Sequence, residues 1–361
     1  MNILVIRFRQ MGDAILTTVL LNSLHQTFPD AKIDFVLNEN IASLFEHHPA
    51  ISRIITFSED DRHNFFTYLR KVWRIVRQTR YDIIIDKRST INTMPFALFS
   101  LRTPWRIGQK KPYTRFIYNH HVESCRQDES MIHHMLATLR PLEAIAPIHE
   151  VRDMSLGILP EEIAHYRHYM QQQGIDFSRP VAVVSVSSKL PEKTWPIDRM
   201  TELLRRVIDR FPTLQLIFNY IPGPKETEAH RIYNALLSTT EKGNDVLHEG
   251  LPLNVLADSP RELAMLCAST TLYFGNEGGG RHIAHAMHCP SFSICSPSAT
   301  KENWIPQNTA VEADAIAPSD FASPAQLAQM SPTEQYNLLT VDRVWQRLEP
   351  FIDNILKTQN S

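Results

Sequence analysis

The chain has 361 residues, 43% of them hydrophobic and 21% charged, with a formal net charge of −2. That length exceeds what one hydrophobic core usually serves, so two domains are expected. The near-neutral balance argues against a globally basic nucleic-acid binder. Four scattered cysteines (Cys125, Cys267, Cys289 and Cys295) include no C-x-x-C pair, which speaks against a zinc site or disulfide framework and fits a reducing compartment.

The opening "MNILVIRFRQMGDAILTTVLLNSL" is apolar, but Arg7, Arg9 and Asp13 interrupt it. No run nears the roughly 18 residues needed to span a bilayer, and no cleavage signal follows. A cytoplasmic protein is expected, with contact at a membrane surface left open. "NILVIR" (2–7) predicts a buried strand, and the spacing of Ile15, Leu16, Val19, Leu20 and Leu24 predicts a helix over 14–28. Further strands are expected at 32–37, 53–57 and 81–86, with helical stretches near 40–47 and 63–78. A second series follows: strands at 181–186, 214–218, 270–275 and 291–295, with helices at 197–211, 225–238, 260–268 and 280–288. Ser259, Pro260 and Glu262 read as an N-cap, a first helical position and a completed capping box. Strand–helix alternation of this kind gives parallel sheets covered on both faces. The fold class is therefore α/β with two Rossmann-like domains, 1–158 and 159–361, joined by a hinge formed by a helical stretch at 160–173 and "GIDFSRP" (174–180). Residues 312–336 read as a surface loop before a last helix at 340–357.

Four of the eleven glycines lie in "GNEGGGRHIAHA" (275–286), at a strand-to-helix turn. Such a turn bares backbone N–H groups at a helix N-terminus, where an anion can sit. A tight turn that only needs glycine's freedom is the plain alternative. The loop after the second domain's first strand, "SVSSKLPEKTWP" (185–196), adds Ser187, Ser188 and Lys193, and Glu226 follows the next strand. In open α/β sheets, ligands bind at this carboxyl edge. Lysine suits a phosphate and a carboxylate suits ribose hydroxyls, although a solvated lysine and a helix-start glutamate explain them equally well. His282, His285 and His288 drift about 60° per step around their helix, a poor metal-binding arrangement. No metal or other cofactor is expected. The stretch 102–115 carries Arg102, Arg106, Lys110, Lys111 and Arg115 with no acid. It reads as a solvated basic loop or a patch for an anionic partner; the overall charge speaks against nucleic acid.

Three of these segments together resemble the heptosyltransferase-type family of glycosyltransferases, family 9. The opening 24 residues are similar to its first strand, basic residue and Gly-Asp; "EKTWP" to its Lys-x-Trp-Pro; and "GNEGGGRHIAHA" to its Gly-Asn-Asp-[Ser/Thr]-Gly-Pro-x-His signature. "WRIG" (105–108) also fits. The resemblance implies a GT-B arrangement, with the two domains facing a cleft. It also implies inverting transfer without a metal, a nucleotide-sugar donor such as ADP-heptose in the C-terminal domain, and an anionic lipopolysaccharide-core acceptor at the N-terminal domain. Peripheral contact with the inner membrane would follow. Carried over, Asp13 matches the general base, Ser187, Ser188 and Lys193 the donor-phosphate contacts, Glu226 the ribose contact and His282 the signature histidine. The backbone of Gly278, Gly279 and Gly280 would face the donor, with Glu277 in place of aspartate and Arg281 supplying charge. Arg106, Lys110 and Lys111 would meet the acceptor. Asp13 also reads as a helix N-cap. Two rivals stay open: a sugar-nucleotide epimerase on the same scaffold, and a degenerate nucleotide-sugar-binding protein.

Overall fold

Short runs of β-branched and aliphatic residues, buried on both faces, form the centre of two parallel sheets. The computed structural model describes residues 1–8, 10–123, 129–220, 224–237 and 255–359. The chain divides into two compact units, Met1–Ile158 and Leu159–Ser361.

In the first unit, β1 (Asn2–Ile6), β2 (Lys32–Asn38), β3 (Arg53–Phe57), β4 (Ile83–Asp86), β5 (Trp105–Gln109) and β6 (His120–Val122) form one sheet in the order β3-β2-β1-β4-β5-β6. Every pairing is parallel. The helices are α1 (Met11–Leu16), α2 (Thr18–Thr27), α3 (Glu59–His63), α4 (Phe65–Gln78), α5 (Met94–Leu98) and α6 (Met131–Ala137). Phe8, Phe57 and Phe96 pack together in the core on one side of the sheet.

Several expectations are corrected here. The helix expected over 14–28 starts at Met11 and is interrupted at Thr17, whose hydroxyl donates to the Asp13 carbonyl at 2.8 Å. The helix expected over 63–78 is α4, which starts at Phe65 because the Asn64 side chain accepts from the N–H groups of Phe66 and Thr67 and caps it, parting it from α3. The stretch near 40–47 is a 3₁₀ helix, Glu39–Phe45. The basic stretch 102–115 is not all loop, since β5 runs through it.

The second unit begins with α7 (Pro160–Gln172), β7 (Val181–Ser185), α8 (Ile197–Arg210), β8 (Gln215–Asn219), α9 (Pro224–Leu237) and α10 (Pro260–Ala268). It continues with β9 (Leu272–Asn276), α11 (Gly279–Ala286), β10 (Ser291–Ile294), α12 (Lys301–Trp304), β11 (Ala313–Ile316), α13 (Pro324–Leu327), α14 (Pro332–Asn337) and α15 (Val341–Gln359). The sheet order is β11-β10-β9-β7-β8, again parallel throughout. The helical stretch expected at 160–173 is α7, and it lies against α10, where Arg261 grips Glu162 with two hydrogen bonds of 2.8 and 2.6 Å. Ser259 does cap α10 through the Glu262 N–H, but the Glu262 carboxylate turns to the Asp258 N–H at 2.7 Å, so the expected reciprocal box is half formed. Residues 312–336 are not a loop; they hold the edge strand β11 and two short helices.

Candidate active site

Ligands in open α/β sheets sit beyond the carboxyl ends of the strands, where strand order reverses. That reversal falls between β1 and β4 in the first unit and between β7 and β9 in the second. Most of the residues singled out from sequence follow one of these four strands.

At the first reversal, the Arg7 guanidinium, directly after β1, donates to Asp13 Oδ1 at 2.5 Å and to the Lys87 carbonyl at 3.1 Å. Both side chains of the Arg7–Asp13 pair are almost wholly buried (6% and 7% exposed). Asp13 is the third residue of α1, and Gln10 occupies the N-cap, so the capping explanation for this aspartate is corrected. Its carboxylate is turned to Arg7. β4 ends at Asp86, and Lys87 and Arg88 follow it. The Asp86 carboxylate accepts from the Arg88 and Ser89 N–H groups and from the Tyr118 hydroxyl, while burial pushes its pKa up. Lys87 Nζ donates to Thr138 Oγ1 at 2.6 Å, and Arg88 Nη1 to the Phe8 carbonyl at 2.6 Å. His134 lies behind Lys87, and burial with the nearby cations Lys87 and Arg7 lowers its pKa to about 3, leaving it neutral at pH 7. Sequence reasoning found Asp13 but not Arg7, Asp86 or Lys87. Their apolar surroundings gave them the look of ordinary strand ends.

At the second reversal, the loops after β7 and β9 are tied together. Asn276 donates to the Ser185 carbonyl at 2.9 Å and accepts from the Trp195 N–H at 2.7 Å. Gly275 has φ +122°, and a Cβ there would lie 2.5 Å from the Ser185 carbonyl oxygen, so the two strand ends approach closely only because the residue is glycine. Lys193 Nζ meets Glu277 Oε1 at 3.0 Å, and the Ser296 hydroxyl donates to the same oxygen at 2.6 Å. Ser187 is buried, its Oγ without a hydrogen-bond partner among the described residues; the Ser188 N–H donates to Thr194 Oγ1.

Gly278, Gly279 and Gly280 form the turn into α11, with Gly278 as the N-cap and no side chain capping the first N–H groups. A Cβ at Gly280 would strike the Tyr273 hydroxyl. Arg281 is 2% exposed and faces no carboxylate in an ion pair among the described residues. Its Nη2 donates to the Trp304 carbonyl at 2.8 Å and lies 3.1 Å from the His282 ring nitrogens, while Nη1 has no hydrogen-bond partner among the described residues. Burial lowers its pKa to about 10, which still leaves it cationic at neutral pH. Burial and Arg281 together hold His282 well below its usual range, so the imidazole is neutral. The His282 and Trp304 rings meet edge to face, their centroids 5.9 Å apart. The three histidines of this segment do not converge: His285 is buried and His288 is exposed beyond the helix end.

Glu226 lies in the first turn of α9, half-buried, and raises the pKa of the neighbouring Tyr220 after burial has done so. The acceptor candidates are all engaged within the chain. Arg106 donates to the carbonyls of Leu101, Thr103 and Ile117, Lys110 pairs with Glu123 at 2.8 Å, and Lys111 Nζ donates to the carbonyls of Arg88 and Ser89.

The family model described as "Glycosyltransferase family 9 (heptosyltransferase)" matches residues 69–318. Lipopolysaccharide heptosyltransferase 1 of Pseudomonas aeruginosa is 24% identical over 310 residues, which is 82% of this chain and 79% of that protein. Among solved structures, a family 9 glycosyltransferase from Veillonella parvula superposes with TM-score 0.77 at 17% identity, covering 99% of this chain and 97% of the other. E. coli heptosyltransferase WaaC, solved with ADP-2-deoxy-2-fluoro heptose, gives TM-score 0.66 at 16% identity over 97% and 99% of the two chains.

Proposed function

The chain belongs to glycosyltransferase family 9 (heptosyltransferase), and from that premise we propose that it moves a heptose from ADP-heptose onto the core of lipopolysaccharide, with inversion at the anomeric carbon. The donor reading draws support from the printed ligand of the WaaC structure, and the acceptor reading from the name of the Pseudomonas relative. A single observation carries the donor half: Arg281, a buried guanidinium with no paired carboxylate and an unpartnered Nη1, beside an uncapped glycine turn. A buried cation ordinarily needs an anionic partner. A diphosphate against the Gly278–Gly280 backbone would supply one, with Lys193, Ser187 and Ser188 around it and Glu226 at the ribose.

In the reaction, an acceptor hydroxyl attacks the anomeric carbon, its proton passes to Asp13, and the bond to the diphosphate breaks. The charge left on the diphosphate meets Arg281, Lys193 and the backbone N–H groups. Lys193 is occupied by Glu277 in this structure, so donor binding exchanges one anion for another at Nζ. Arg106, Lys110 and Lys111 belong to the proposed acceptor side, where Lys111 acts through the Arg88–Ser89 turn that it holds.

The test is ADP release from ADP-heptose by the purified protein, with and without a heptose-deficient lipopolysaccharide core. Release that requires both components supports the proposal. Isomerisation of donor without acceptor would favour an epimerase, and donor binding without turnover a degenerate binding protein.

A further inference from the structure

Charge is distributed unevenly along the chain. Between Phe65 and Val122 there are twelve lysines and arginines but two acids, Asp82 and Asp86, in a protein of net charge −2. Asp86 is buried, and the half-buried Asp82 accepts from the Asn2 N–H. The same stretch holds eight of the twelve large hydrophobic side chains that are exposed among the described residues.

These features coincide on α4. Its inner face is apolar and buried: Tyr68, Val72, Ile75 and Val76 pack into the first unit's core. Its outer face is not simply polar. Phe66, Arg70, Trp73 and Arg77 lie at successive three- and four-residue steps, which puts all four within roughly 60° of one another around the helix. Phe66 is 82% exposed and Trp73 51% exposed. The Arg77 guanidinium lies 5.7 Å from the centre of the Trp73 ring. Neither Arg70 nor Arg74 makes an ion pair or side-chain hydrogen bond among the described residues. Lys71 is different, because it binds Asp61 of α3 at 2.6 Å.

Aromatic rings held in water cost free energy, and arginines carrying no acid repel one another. A helix that shows both in one row suits a surface offering apolar depth and negative charge together. Rings settle at the level of lipid headgroups, while guanidinium groups bind phosphates above them. We propose that the outer row of α4, Phe66–Arg70–Trp73–Arg77, docks the protein on the headgroup region of an anionic phospholipid bilayer. This deepens the acceptor reading, because a glycolipid acceptor would lie in such a bilayer. The docking is nevertheless separate from donor and acceptor chemistry. No helix among the described residues is long and apolar enough to cross a membrane, so contact of this kind is at the surface.

The experiment is co-sedimentation of the full-length protein with vesicles containing phosphatidylglycerol and phosphatidylethanolamine, and with pure phosphatidylcholine vesicles. Neither set contains acceptor or donor, so failure of the heptosyl-transfer reading would not alter the result. Binding to the anionic vesicles alone, weakening as salt rises, is expected. The double variants Phe66→Ser/Trp73→Ser and Arg70→Glu/Arg77→Glu should each reduce binding at least about tenfold. All four residues are exposed, so the melting temperature should be unchanged, and Arg70→Lys/Arg77→Lys should retain binding. Wild-type protein that stays in the supernatant with anionic vesicles at low salt would overturn the proposal. So would variants that bind as well as wild type. Concentration-dependent dimers that the same variants abolish, without vesicle binding, would assign the row to a second copy of the chain instead.

Discussion

Replacing Asp13 by asparagine separates the chemical role of this carboxylate from its structural one. Because Gln10 is the N-cap, the substitution removes no cap. What it removes is the negative partner of Arg7, in a 2.5 Å pair whose side chains are 6% and 7% exposed. Asparagine keeps an oxygen that can accept from Nη2, and Arg7 keeps its bond to the Lys87 carbonyl. The loss is then that of a charge-assisted bond turned neutral, about 1–3 kcal/mol of folding stability. Asp13→Ala leaves the guanidinium buried with no such acceptor and should cost about 3–5 kcal/mol. If Asp13 takes the acceptor proton, kcat should fall by about 10²–10⁴ in both variants. Stability should thus distinguish the two variants while activity does not. Urea denaturation measures the first quantity. Acceptor-dependent ADP release, followed well below both midpoints, measures the second. An Asp13→Asn enzyme working near the wild-type rate would refute the base assignment and leave Asp13 as the counter-ion of Arg7. Activity losses that scaled with the stability losses would point the same way.

Other predictions follow from the same geometry. Arg281→Met should leave the unfolding midpoint unchanged or higher, since a buried cation with no paired carboxylate is replaced by a residue of similar length. It should nevertheless weaken ADP binding roughly 10–100-fold by calorimetry, and unchanged affinity would remove Arg281 from the donor site. Lys193→Ala should weaken ADP binding by about 1–3 kcal/mol, and unchanged affinity by calorimetry would remove Lys193 from the donor site. Stability should fall on mild acidification. His48, His134 and His285 have folded pKa values of about 4, 3 and 3, below the unfolded value near 6.5. Below pH 6.5 the unfolded chain takes up protons that the folded chain refuses, so stability present above pH 6.5 is lost as pH falls towards 4. Each histidine contributes up to about 1.4 kcal/mol per pH unit. Urea midpoints that stayed level between pH 7.5 and 5 would contradict this.

Much of the fold was legible in the sequence because its central strands are continuous aliphatic runs. "NILVI" and "VAVVS" announce β1 and β7 without help from their surroundings. Of the four edge strands, β6 and β11 escaped for a physical reason. β6 is His-His-Val and β11 is Ala-Asp-Ala-Ile, three and four residues with one face open, so neither shows a clear apolar run. "WRIGQ" was hidden by the charge of its neighbours, although Arg106 spends that charge on three backbone carbonyls. In the candidate site, local signals located the glycine turn and the lysine loop. The partners of Asp13 and Lys193 come from 6 and 84 positions away in the chain, and the missing carboxylate at Arg281 is a property of the packed neighbourhood alone. No one-dimensional pattern carries that information.

The division of the chain bears on how the protein is made. Each unit is contiguous, so every strand of the first sheet has been synthesised by residue 122, and that unit can close while the ribosome is still extending the second. The second unit has to wait. Val344, Leu348 and Ile352 of α15 belong to its core, and α15 packs on α8, β10 and β11. At roughly 5–20 residues per second, the about 200 residues of this unit take about 10–40 s to emerge. For most of that interval its sheet lacks the helix that covers one face. The nascent second unit is therefore the stage of biogenesis at which this chain most needs shielding by a chaperone.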